Sequence, residues 1–201
     1  MVAYIFNSLL DEGLQAGKAP GLTLESRDWF RSLARNTVTA SPAKITRTAP
    51  KAQIVRRPDL GFMYHFFYDP KTKAKLPYYD RFPLIFRISP DIQKGSFLGI
   101  NLHYLNPRLR ARLMDQLYTV STDKRFDEKT RLRINYNILN RASKFRFFRP
   151  CVKRYLLSNV RSRFIKINSD TWDLALFLPT ERFVKPNKTK VFRDSREAVG
   201  R

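Results

Sequence analysis

Five short segments rich in aromatic and β-branched residues are split three and two by a long stretch with helical spacing, and this change of period limits the chain to few architectures. The segments are GFMYHFFYD (61–69), FPLIFRI (82–88), GSFLGINLHYL (95–105), RFIKI (163–167) and DLALFL (173–178). Their composition predicts strands. Asp69-Pro70, Leu76-Pro77, Pro90-Asp91 and Asn168-Ser169-Asp170 supply turn chemistry between them. In the intervening stretch Pro107 follows Asn106 at a favourable first helical position, and Leu109, Leu113, Met114 and Leu117 recur on one face. Asp127 or Thr130 opens a second helix carrying Leu132, Tyr136, Leu139 and Phe145. Pro150 is expected to open a third, carrying Val152, Leu156 and Val160. The expected fold class is α+β: a small curved antiparallel β-sheet or five-stranded barrel with a helical insertion.

An N-terminal helical hairpin precedes this domain in the same reading. Ile5, Phe6, Leu9, Leu10 and Leu14 have helical spacing until Gly17, Pro20 and Gly21 break it. Ser26 then caps a second helix with Trp29, Phe30 and Leu33 on its apolar face. The string NTVTASPAKITRTAPKAQIVRR (36–57) contains no acid and two prolines and keeps no period, which reads as an extended basic arm or tether. The expected division is residues 1–36 for the hairpin, 37–58 for the arm and 59–185 for the main domain. The helical insertion spans 106–160, and 186–201 form a basic tail.

Charge narrows the partner. The 201 residues carry 39 Lys and Arg against 17 Asp and Glu, a net charge of +22, and a polyanion relieves the self-repulsion this creates. Between positions 101 and 167 there are 17 basic residues and 4 acids, and no acid lies between Glu128 and Asp170. The densest part carries Arg141, Lys144, Arg146, Arg149, Lys153, Arg154, Arg161 and Arg163. Read as helices, it stacks Arg146, Arg149 and Lys153 on one face. Guanidinium groups favour bidentate contact with phosphate, so these eight residues are the expected DNA-binding set. Lys44, Arg47, Lys51, Arg56 and Arg57 of the arm extend it. Phe145, Phe147 and Phe148 interleave with the cations; they either stack on exposed bases or, as apolar rings at helical spacing usually do, fill the core.

Other classes of function find little support. One cysteine and two histidines make no zinc site, and no phosphate-binding G-x-x-x-x-G-K-[ST] loop occurs. Pro90-Asp91 with Asp127-Glu128-Lys129 only superficially resembles a metal-nuclease pattern, because the second part belongs to a helix cap. His65 and His103 sit in apolar strand contexts, which favours structural roles. Cys151 lies beside Lys153 and Arg154, but no histidine is near it in sequence. No catalytic residue, metal, cofactor or small-molecule substrate is therefore expected. No apolar run reaches membrane-spanning length, and MVAYIFNSLLDEGLQ has acids where a signal peptide has basic residues, so no membrane association or secretion is expected.

Several strings carry a family resemblance. LPYYDRFPLIF (76–86), SFLGINLHYL (96–105), LRARLMDQLY (109–118) and WDLALFLPTERF (172–183) resemble the DNA end protector family, the head-completion proteins of T-even-type contractile-tailed bacteriophages. SRDWF (26–30) and RFFRPCVKRYLLSNVRSRF (146–164) are similar to it as well. The resemblance implies a virion protein of the head or neck that binds the end of packaged double-stranded DNA. It further implies shielding of that end from host exonuclease, and presence in the host cytoplasm during assembly and after injection. A structural connector of the neck, tail or baseplate, docking on acidic ring proteins through Tyr78, Tyr79 or Trp172, is the alternative.

Overall fold

The computed structural model describes residues 54–89, 95–121, 123–169, 172, 181, 183–185 and 187–200. The proposed N-terminal hairpin, most of the arm and the DLALFL segment lie outside them. The described elements are β1 (Ile54–Val55), β2 (Met63–His65), β3 (Tyr79–Asp80), β4 (Leu84–Arg87) and β5 (Ser96–Asn101), then α1 (Pro107–Ser121) and α2 (Glu128–Lys144). They continue with β6 (Val152–Leu156), β7 (Phe164–Ile167), β8 (Phe183–Val184) and α3 (Lys188–Gly200). Six strands form one antiparallel sheet in the order β1-β7-β2-β4-β5-β6, and β3 pairs with β8 as a separate ribbon. The fold is α+β, as the sequence predicts. The barrel alternative is not realised, because β1 and β6 end the sheet on opposite sides without pairing.

The pleat of the sheet separates two apolar clusters. Met63, Leu84, Phe86 and Ile100 face a core completed by Leu113, Met114 and Leu117 of α1, Leu139 of α2, Trp172 and Val191 of α3. Tyr64, Phe66, Tyr68, Ile85, Phe97, Tyr155 and Phe164 make the second, mainly aromatic cluster. There Phe66 is fully buried, with ring centroids 4.9 Å from Phe164 and 5.2 Å from Tyr155. Within the basic C-terminal segment, Lys188–Gly200 form α3, which packs on the core through the fully buried Val191.

The first two helices of the insertion form where their sequence signals place them. Asp127 caps α2, its carboxylate accepting from the Thr130 N–H at 2.7 Å. The third expected helix is a strand. After a single 3-10 turn at Arg149–Cys151, Val152–Leu156 pairs along β5, with Val152 opposite Ile100 and Tyr155 opposite Phe97. The spacing of Val152, Leu156 and Val160 by fours fits a period of 2 as well as 3.6. The unpaired backbone of β5 decides between them. Gly99, opposite Lys153, is required by close packing: an added Cβ would stand 2.8 Å from Ile85 Cδ1 and 3.3 Å from the Phe86 carbonyl oxygen.

Candidate nucleic-acid interface

Refolding that third helix as a strand redistributes the cations. Arg141 and Lys144 occupy the last turn of α2, and Phe145 ends the helix in extended conformation. Arg146 follows in a turn, Arg149 opens the 3-10 turn, and Arg154 lies on β6 at the edge of the sheet. All five are exposed. The single helical face expected for Arg146, Arg149 and Lys153 therefore does not exist; loop, turn and edge strand present the charges instead. Arg161 and Arg163, also exposed, sit on the segment that carries the chain back to β7. There the Arg161 N–H donates to the Phe67 carbonyl. The register Ile54↔Ile165 and Val55↔Phe164 runs on toward Arg56 and Arg163, which joins the exposed Arg56 and Arg57 to this second group. Lys44, Arg47 and Lys51 lie outside the described residues.

Among the described residues, no carboxylate pairs with Arg141, Lys144, Arg146, Arg149, Arg154, Arg161 or Arg163; the described ion pairs lie elsewhere, at Lys73–Asp69, His103–Asp80, Arg125–Asp123 and Arg193–Glu197. Lys153 differs from the other seven. Its ammonium stands 4.2 Å from the centre of the Tyr104 ring, and burial lowers its pKa.

The aromatic residues divide. Phe148 packs against the core, whereas Phe145 and Phe147 are 62% and 59% exposed, contrary to the expectation that apolar rings at this spacing are buried. Phe147 borders an open cleft of about 640 Å³. Arg108 and Arg112 of α1 and Phe192 and Arg196 of α3 line its other walls. The sequence reading missed these four. Their signal was the spacing by fours in each pair, which puts an arginine and its partner on one helix face.

The remaining candidates for chemistry are structural. His103 and Asp80 form a buried pair at 2.5 Å, and both side chains are at most 1% exposed. Asn101 Nδ2 donates to Asp80 at 3.3 Å and to the Tyr155 hydroxyl at 3.1 Å, so the pair belongs to a polar knot inside the sheet. His65 stacks on Phe82 at 4.6 Å, with Nδ1 3.2 Å from the Pro83 carbonyl oxygen. Cys151 is 1% exposed, and burial pushes its thiol up to about 12 against the opposing pull of Lys153 and Arg110. Trp172, a proposed anchor of the connector reading, is 4% exposed, and Tyr78 stacks on Tyr104 and meets Phe183 edge-on. Among the described residues, no group of three or more His, Cys, Asp and Glu could hold a metal ion. No described helix is long and apolar enough to cross a membrane.

Burial lowers the His65 pKa to about 3, with His103 acting in the same direction and the Pro83 carbonyl and Asp80 opposing it. The folded state thus excludes a proton that the unfolded chain accepts near pH 6.5. The stability this contributes is complete above about pH 6.5 and is lost as pH falls toward the folded value. Urea denaturation of His65→Phe, which keeps a ring against Phe82, should show a pH slope shallower by about 1.4 kcal/mol per unit between roughly pH 6 and 4. An unchanged slope would assign the acid sensitivity to other groups.

Over residues 13–196 the sequence matches the family model described as the phage T4 terminal DNA protecting protein. The chain belongs to that terminal DNA protecting family. The family's role, protection of DNA termini, is the end-shielding function anticipated from the sequence strings. It is a DNA-protecting family rather than a known class of enzyme, and its partner is a DNA end. No curated protein and no solved structure matches the chain.

Proposed function

We propose that this terminal DNA protecting protein grips the last turns of a linear duplex through Arg141, Lys144, Arg146, Arg149, Arg154, Arg161 and Arg163, and shields the end by occupying the point where an exonuclease must enter. The observation that carries the proposal is the exposure of these seven cations without a carboxylate partner among the described residues. Cations left unpaired on a surface contribute most when they meet phosphate, and each contact releases condensed counterions. Arg56 and Arg57 extend the grip beside Arg163, and the rest of the basic arm follows the backbone further. Base-edge readout plays little part, so sequence preference is weak. In the virion the protein occupies the head or neck, where the end of the packaged genome lies. It follows that end into the host cytoplasm.

The test is nuclease protection of linear duplex DNA beside a nicked circle of equal length and sequence. The linear form should survive exonuclease at physiological salt in proportion to bound protein, with tighter binding than to the circle. Equal binding to both without protection would reduce the protein to a general polyanion binder.

A further inference from the structure

The cleft between α1 and α3 is placed and lined in a way the phosphate grip does not use. Arg108 and Arg112 occupy one face of α1, one turn apart, and both are exposed. The half-buried Phe192 and the exposed Arg196 stand one turn apart on α3, and Phe147 closes the side nearest Arg146 and Arg149. Among the described residues no acid lines the cleft, and α1, which begins beside it with the Asn106 side chain accepting from the Leu109 N–H at 3.0 Å, has none in its first turn. The volume of about 640 Å³ is within the range of small-ligand sites, roughly 300–1,000 Å³. An exposed phenylalanine beside three arginines fits a ligand with one flat apolar face and at least one negative group.

We infer that the cleft receives the terminal nucleotide of the DNA, its base against Phe147 and Phe192 and its phosphate among Arg108, Arg112 and Arg196. This rests on the end-binding reading above and gives it a physical basis for choosing ends. A base within a duplex is stacked on both sides, whereas the last base has one stacking neighbour and is withdrawn at the least cost. Aromatic stacking tolerates any base, in keeping with weak sequence preference. The helix start at α1 adds a favourable field for the phosphate. Because the cleft adjoins the cationic turn at 146–149, a duplex lying along that turn brings its terminus to the cleft mouth.

The experiment compares binding of an open-ended duplex with that of the same duplex closed by hairpins at both ends. For the native protein, affinity for the open form should exceed that for the closed form. Phe147→Ala should reduce this ratio by about tenfold, the value of one stacked base, and Phe147→Tyr should restore it. Phe147 is 59% exposed, so its truncation leaves no hole in the core. Phe145→Ala serves as the control, since Phe145 is equally exposed but does not line the cleft. A 5-iodouracil base at the terminus should crosslink to the cleft on irradiation, and the same base ten pairs inward should not. A native preference for open ends that survives Phe147→Ala, with no terminal crosslink, would overturn the cleft assignment and leave end binding intact. A native protein that binds both forms equally would overturn the end-binding reading and the cleft with it.

Discussion

Raising the salt concentration from about 50 to 200 mM should weaken binding to linear duplex DNA by roughly three to five orders of magnitude. Seven exposed cations without described carboxylate partners set this scale, because each phosphate neutralised contributes about −0.9 to the slope of log K against log salt. Replacing Arg146, Arg149 and Arg154 together by Gln should flatten the slope by about 3 and weaken binding by a similar factor on every sequence tested. Fluorescence anisotropy on two unrelated duplexes over a salt series would measure both quantities. A slope near zero would remove the electrostatic mechanism; a loss on one sequence alone would show base readout at these arginines.

The second large effect concerns the fold. Phe66→Ala should destabilise the protein by about 3–5 kcal/mol, a large share of the total stability of a domain of this size. Phe66 is fully buried, and its ring lies among Tyr68, Phe97, Tyr155 and Phe164 at centroid separations from 4.9 to 6.2 Å. Small neighbours could close part of the resulting void, but four large rings held by opposing strands cannot collapse into it. Denaturant unfolding should show a lower midpoint with little change in the denaturant slope. A loss below 1 kcal/mol would mean that the aromatic cluster is loosely packed.

The phosphate contact proposed for Arg154 depends on this cluster through Tyr155. That residue holds β6 to the cluster, and β6 carries Arg154. Phe66→Ala should therefore also reduce DNA affinity, through the folded population and through the placing of Arg154.

Local signals in the sequence were read correctly where one period fitted. Leu113, Met114 and Leu117 have spacings that only a helix brings to one side, and they are buried where α1 was expected. Asp127 combined a capping side chain with a following helical run. Positions 84–87 and 164–167 were apolar enough to be strands in any arrangement. The turn at 145–151 was not legible, because its conformation depends on a distant strand. Val152 to Leu156 is compatible with helix or strand, and β5 settles the matter with hydrogen bonds fixed fifty residues earlier in the chain. The same dependence exposed Phe145 and Phe147, since the helix that would have buried them ends at Lys144. Charge was easier to read than its location. The acid-free stretch identified the cations, but α2, β6 and the return to β7 divide them into two groups. The cleft needed two helices about eighty residues apart to meet, which no local pattern encodes.

Strand β6 has a neighbour on one side only among the described strands, and its middle residues are Lys153 and Arg154. An open strand edge is a template for pairing with another chain, and charges along it are a common guard against such growth. The exposed Arg154, proposed above to meet phosphate, thus also disfavours edge-to-edge pairing of copies. Arg154→Glu should weaken the proposed phosphate contact while preserving that guard. Alanine removes both, so a neutral variant that precipitates would report on solubility rather than on recognition.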